Sequence, residues 1–322
     1  MAVLVLPHTP TGTPAAVRHP LAAAGLSLID GPEPPADLRG VTGVIVLDGP
    51  AAAAAEDDRA AAALTLVREA LAAEVPLLAL GAAAHRLVAT AGRATAGTAA
   101  APVDGQDPGV DTHGLLTRFA ATVAARAEHT TTRAFFTRRA DSWEERFAHQ
   151  TPAYEAAVAR MRLAPGARAV DLGCGTGRAM PALRARTGPG GQVLGIDVTP
   201  AMLTAAARHG RSRHGHLIAA DCTRLPLPRG GVDGIFSAGL VDHLPDPGAA
   251  LREWARISAP AGVLLLFHPS GRAERAARHG RPLDAADLLA EPNLRPALAA
   301  AGWHLDEYED APHHTLARAL RR

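Results

Sequence analysis

Short apolar runs alternate with amphipathic stretches along the whole chain. In the first third, Ala2–Leu6, Val41–Leu47 and Val75–Leu80 are nearly continuous apolar runs, as expected of strands buried on both faces. Between the last two, Leu64, Val67 and Leu71 recur at helical spacing. Glu56, Asp57 and Asp58 would then occupy that helix's first turn, where negative charge suits the macrodipole, and the alanine run Ala51–Ala55 leads into it. The second half repeats the alternation. Ala169–Leu172, Gln192–Asp197, Leu217–Ala220, Val232–Ala238 and Val263–His268 read as strands, as do the late runs Trp303–Tyr308 and Thr315–Leu320. Such alternation predicts an α/β chain with two doubly wound sheets, the second of seven strands.

The break between the two falls near the middle. Residues 97–114 are rich in Gly, Pro and Asp and lack periodicity, so they read as loop. A helix from Leu115 to about Ala127 follows, which places the domains at 1–125 and 126–322.

The strand ends carry the candidate chemistry. The first strand of the second half ends in Asp171 and opens into Gly173-Cys174-Gly175-Thr176-Gly177, with a helix expected from about Thr176. Alternate glycines let a backbone turn sharply and approach a flat ligand closely, at the carboxyl end of the strand where open α/β folds bind ligands. The loop alone also fits dinucleotide-binding proteins. The next two strands end in acids as well, Asp197 and Asp221, and the fourth runs into Ala238-Gly239-Leu240-Val241-Asp242-His243. An acid closing the second strand can accept both hydroxyls of a ribose.

From about Phe135 onward these motifs, in this order, resemble a class I S-adenosylmethionine (SAM)-dependent methyltransferase of the small-molecule type. The resemblance implies a Rossmann-like fold whose sheet is closed by an antiparallel hairpin of Trp303–Tyr308 and Thr315–Leu320, and SAM as cofactor. It puts Asp171, Gly173, Gly175 and Gly177 around the methionine part and Asp197 on the ribose hydroxyls. Thr199 and Met202 would flank the adenosine, and Asp221 and the Cys222 backbone would meet the adenine. Ala238 would pass under the sulfonium. Residues of about 130–163, with Trp143 and several arginines, would form a lid ahead of a core at 167–322.

Methyl transfer needs an aligned acceptor and, for a protic acceptor, a base with a pKa near neutrality. Two histidines follow strand ends, His243 and His268, and are the catalytic candidates. His243 follows the strand under the sulfonium and so has the better line to the acceptor, while His268 is expected nearer the wall. The Asn/Asp-Pro-Pro-Tyr motif of exocyclic-amine methylation is replaced by Ser237-Ala238-Gly239-Leu240, which argues against a DNA substrate.

The first half resembles a class I glutamine amidotransferase that has lost its chemistry. Asp48-Gly49-Pro50 stands at that family's oxyanion loop and Pro76–Val88 at its nucleophile elbow. Gly81 occupies the nucleophile position, His85 the glutamine position, and Asp107-Pro108-Gly109 the place of the His-Pro-Glu pair. An acyl-enzyme mechanism needs nucleophile and base together. A non-catalytic domain for packing, dimerisation or substrate shaping is therefore expected, with an unrelated flavodoxin-like domain as the alternative.

Composition narrows the remaining choices. All 33 basic residues are arginine, which excludes Schiff-base chemistry on a lysine, and a net charge of +1 implies no general attraction to nucleic acid or membrane. His209, His214 and His216 lie among arginines and read as solvated loop, so no metal is expected. Only Cys174 and Cys222 are present, and the Met1–Pro7 run reads as a first strand rather than a signal peptide, so a cytoplasmic protein is expected. The function expected is SAM-dependent methylation of a small molecule, the alternative being a SAM-binding regulatory or partner protein without turnover.

Overall fold

The structure is a computed structural model that describes residues 1–6, 13–30, 35–48, 58–73, 75–92, 111–278 and 280–322. Asp107–Gly109, Gly49, Pro50, Ala51–Ala55, Glu56 and Asp57 lie outside the described residues. The chain separates into two compact units, Met1–Glu128 and His129–Arg322.

The first unit contains a parallel sheet of β1 (Ala2–Leu6), β2 (Ser27–Ile29), β3 (Val41–Leu47) and β4 (Leu77–Leu80) in the order β2-β1-β3-β4. Strand alternation sends Val3, Val5, Ile45 and Leu47 to one face, against Val17, Leu21, Phe119 and Val123. Leu4, Leu6, Val44 and Val46 take the other, against Ala63, Val67, Ala84 and Val88. Both faces are thus covered by helices. The helix expected over Leu115 to about Ala127 runs over Thr112–Thr137, and Asp111 caps its start by accepting the Gly114 N–H at 2.8 Å.

The second unit holds a seven-stranded sheet, ordered β10-β11-β9-β8-β5-β6-β7. Its strands are β5 (Arg168–Leu172), β6 (Gln192–Asp197), β7 (His216–Ala219), β8 (Val232–Ala238), β9 (Ser258–His268), β10 (Trp303–Ala311) and β11 (His314–Arg321). The first five run parallel, and β10 and β11 close the sheet antiparallel. Since β5 sits between β6 and β8, the chain reverses direction across the sheet there. The carboxyl ends of β5 and β8 therefore open a crevice between them.

Two differences from the sequence expectation bear on that crevice. The helix after the glycine loop begins at Met180, four residues later than expected. Gly173, Gly175 and Gly177 all hold positive φ (66°, 53° and 73°), so the chain cannot enter a right-handed helix until it has passed them. Strand β9 begins at Ser258 rather than Val263, with a register shift opposite Val232–Gly234 and Ala261 at φ 59°. Behind the crevice, Trp254 and Trp303 are fully buried, and their indole N–H groups donate to the carbonyls of Cys222 and Leu251, both at 3.0 Å. Among the described residues no helix is long and apolar enough to cross a membrane.

Candidate functional site

At the crevice, β5 delivers Asp171 and the glycine loop, and β6 delivers Asp197. The loop is pinned to the end of β6 by backbone bonds from Gly173 and Cys174 to the Ile196 carbonyl, 2.8 and 3.0 Å. Asp197 then bridges two segments. Its Oδ2 accepts the Gly175 N–H at 2.9 Å and its Oδ1 the Thr199 N–H at 2.7 Å. Asp171 is 3 % exposed, and burial, with the Asp197 carboxylate adding to it, pushes its pKa up to about 8. Burial raises Asp197 too, opposed by the backbone N–H groups of Thr199 and Gly175. The buried Asp171 and the half-buried Asp197 together create a place where a cation is favoured.

The three glycines serve different ends. A Cβ on Gly173 would come within 3.0 Å of Leu240, one on Gly177 within 2.9 Å of Arg211, while one on Gly175 meets nothing. Gly175 therefore faces open space, and Gly177 faces the packing behind the loop.

Along the crevice, the Asp221 Oδ1 accepts both the N–H and the hydroxyl of Thr223 at 2.8 Å, leaving its Oδ2 3.6 Å from His129 Nδ1. Met202 is buried beside Ala140, Phe136 and Trp143, which packs helix Ala140–Phe147 onto helix Pro200–Arg208. Phe136 stands edge-on to Trp143 at 5.4 Å and to His243 at 5.2 Å. Trp143 therefore both packs and borders the crevice.

On the β8 side, Gly239 (φ 64°) donates to the Phe267 carbonyl at 2.9 Å. His243 ends a short 3-10 turn, and His268 ends β9 with Nδ1 3.2 Å from the Ser270 carbonyl. Burial holds both imidazoles below the ordinary histidine range. Asp242 opposes the shift and Arg275 adds to it for His243; for His268, Arg275 adds to it.

All these parts border one cavity of about 260 Å³: Asp171, Gly173, Gly175, Asp197, Thr199, Met202, Asp221, Cys222, Ala238, His243 and His268 line it. Gly177 is not among its lining residues. The lining suits SAM. The two carboxylates match a sulfonium and an ammonium, Asp197 retains lone pairs for a diol, and Ile196, Val198, Met202 and Leu244 offer apolar walls to a flat base.

Sequence reasoning missed the groups that hold helix Ala140–Phe147 to the glycine loop. The Glu144 carboxylate accepts from the Thr176 hydroxyl at 2.7 Å, from Arg211 at 2.7 Å and from Arg178 at 3.3 Å. Arg178 also donates to the Phe147 carbonyl, and its side chain is only 4 % exposed. Tyr154 lies below, its hydroxyl pushed up to about 12 by burial and by Asp171. Each joins segments far apart in sequence, and no local pattern announces them.

The comparisons agree with this geometry. A family model described as a methyltransferase domain matches residues 170–266. A malonyl-acyl-carrier-protein O-methyltransferase from Serratia marcescens is 35% identical over 130 residues, 40% of this chain and 49% of that protein. A trans-aconitate 2-methyltransferase from Methylobacterium radiotolerans is 33% identical over 180 residues, 50% of this chain and 67% of that protein. A demethylmenaquinone methyltransferase from Geobacillus stearothermophilus is 30% identical over 114 residues, 34% of this chain and 49% of that protein. The chain thus spans about half the length of the first of these relatives.

Proposed function

The chain belongs to the class I SAM-dependent methyltransferase family, and from that premise we propose that residues 126–322 methylate a small molecule. When bound, SAM supplies an electrophilic methyl carbon on a sulfonium. The observation that carries the reading is the single cavity that joins the Asp171–Asp197 end to the His243–His268 end. In this reading Asp171 and the glycine loop receive the methionine part, and Asp197 takes the ribose diol. Asp221 and the Cys222 N–H take the adenine edge, Thr199 and Met202 its flanks. Ala238 and Gly239 let the reacting region lie against backbone. The two histidines border the acceptor side, where they orient the acceptor and accept its proton. The walls formed by Phe136 and Trp143 exclude water from that end.

A binder without turnover is not favoured, because the relatives named above are all methyltransferases. The first unit is read as non-catalytic. Gly81 has φ 101°, and a side chain there would collide with the Asp48 carboxylate, whose Oδ1 accepts the Ala84 N–H at 2.9 Å. The elbow is therefore shaped for a residue without a side chain, which supports a lost amidotransferase nucleophile. Domains at 1–125 and 126–322, a cytoplasmic location and a homodimer complete the reading. Two buried free thiols, Cys174 and Cys222, suit a reducing compartment.

Calorimetry with SAM and S-adenosylhomocysteine, followed by a methyl-labelled SAM screen of small molecules, tests the proposal. Micromolar binding and label transfer are expected. Absence of binding would remove it.

A further inference from the structure

The acceptor side contains two histidines in different circumstances. The His243 ring is set edge-on against Phe136 at 5.2 Å, an arrangement that packs the ring. His268 is oriented by a hydrogen bond. Its Nδ1 lies 3.2 Å from the carbonyl oxygen of Ser270. A carbonyl can only accept, so Nδ1 carries the hydrogen, and a neutral ring then has its lone pair on Nε2.

The Cδ2 side of the same ring lies at the cavity wall beside Gly239. Cδ2, bonded to Nε2, lies 3.7 Å from where a Cβ on Gly239 would stand, and Gly239 borders the cavity. The charged groups around the ring come from two elements. Arg275 and Arg278 approach from helix Arg272–Arg278, and Asp242 from the 3-10 turn. Arg275 pairs with Asp242 at 2.9 Å and with Asp287 at 3.5 Å, and Arg278 pairs with Glu274 at 2.8 Å, donates to Ser270 Oγ at 2.9 Å and borders the cavity beside His268.

We propose that His268, through Nε2, is the general base of this site and that the acceptor is a phenolic or enolic hydroxyl. The proposal rests on the SAM-cavity reading above. The acceptor oxygen bonds to the methyl carbon as the carbon–sulfur bond breaks. Sulfur keeps that electron pair, and the hydroxyl proton passes to Nε2. The Ser270 carbonyl holds the imidazolium that results, and Arg278 favours the oxygen's growing negative charge. Burial, with Arg275 and Arg278, keeps the resting ring neutral. The same arrangement disfavours other acceptors. A carboxylate, though drawn to Arg278, has no proton to give and would meet a lone pair at Nε2. A protonated amine would meet the Arg278 guanidinium at the cavity wall.

The test has two parts. Two-bond ¹H–¹⁵N spectra of the wild-type protein, assigned with His268→Gln, read the tautomer without any acceptor. A neutral Nδ1–H ring at pH 7 is expected. A methyl-labelled SAM screen then compares phenols and enols with an equal set of carboxylic acids and amines. Label on hydroxyl oxygens is expected, with His268→Gln lowering turnover roughly 100-fold or more and leaving SAM affinity unchanged. An Nε2–H or cationic His268, label found on carboxylates or amines, or an undiminished His268→Gln enzyme would each overturn the proposal. If the screen finds no acceptor, the tautomer decides alone. A wild-type protein that binds no SAM would instead overturn the cofactor reading on which it stands.

Discussion

The Gly175 N–H donates to Asp197 Oδ2 at 2.9 Å, so the glycine loop and the end of the second strand of the methyltransferase unit form one hydrogen-bonded piece. The Asp197 carboxylate would serve the ribose while already ordering the loop that faces the methionine end. Asp197→Ala is therefore expected to do two things at once. SAM affinity should fall by about 10- to 100-fold, equivalent to about 1.4–3 kcal/mol, from loss of a charged acceptor. Thermal stability without ligand should fall as well, since the Gly175 and Thr199 N–H groups lose their acceptor. Asp197→Asn keeps one acceptor oxygen and should lose affinity with a smaller drop in melting temperature. Calorimetry and melting curves on both variants separate these effects.

Asp171 gives a pH dependence with a definite sign. Its pKa rises from 3.8 to about 8 on folding, through burial first and Asp197 second. The folded protein thus holds a proton there that the unfolded chain releases. This contribution to stability is full below about pH 4 and is lost as pH climbs through 8. Asp171→Asn should remove that loss, so the gap in melting temperature between variant and wild type should widen from pH 5 to pH 9 in favour of the variant. SAM should behave oppositely. Its positive charge favours the ionised carboxylate, so wild-type affinity should increase between pH 6 and pH 8, and the variant's should stay flat. Equal pH slopes in the two proteins would remove Asp171 from the cofactor's charged end.

The strands around the cavity were legible because each is an apolar run closed by an acid or a glycine, as at Asp171, Asp197 and Gly239. The start of the helix after the loop was not, since Thr176 and Arg178 look helical until the positive φ of Gly177 is known. Strand β2 escaped notice because Ser27-Leu28-Ile29 is too short to show a period. Glu144 carries no signature for another reason. Its partners Thr176, Arg178 and Arg211 are 32, 34 and 67 residues away, and a carboxylate on an amphipathic helix looks like solvated surface until the fold brings them together. Sequence identifies which residues can perform the chemistry, and tertiary contacts select which ones hold it in place.

Glu144 should accordingly matter more than a surface carboxylate. Arg178 is almost fully buried, so removing its carboxylate partner leaves a guanidinium charge stranded against the Phe147 carbonyl and the Thr151 hydroxyl. Glu144→Ala is expected to cost about 3 kcal/mol of stability, in the range seen when one partner of a buried pair is removed. Glu145 on the same helix is exposed, and Glu145→Ala should cost under about 0.5 kcal/mol. Denaturant unfolding of both variants measures the difference. The Glu144 variant should also bind SAM more weakly, because Thr176 and Arg178 both border the cavity.

The three loop glycines should fail in three different ways when each becomes alanine. All three hold positive φ, so each substitution carries a backbone penalty of about 1–2 kcal/mol. At Gly177 the new methyl would also stand 2.9 Å from Arg211 Cγ and 3.0 Å from Met180 Sδ, so stability should drop further as that packing shifts. At Gly173 it would stand 3.0–3.1 Å from three atoms of Leu240, a cavity-lining residue, so stability and SAM affinity should fall together. At Gly175 it meets no protein atom and points into space bordering the cavity. Gly175→Ala should therefore fold with only the backbone penalty yet lose the most SAM affinity. Melting temperatures and SAM titrations on the three variants give the comparison. A Gly175→Ala protein that binds SAM like the wild type would mean that the cofactor does not pass beside the loop.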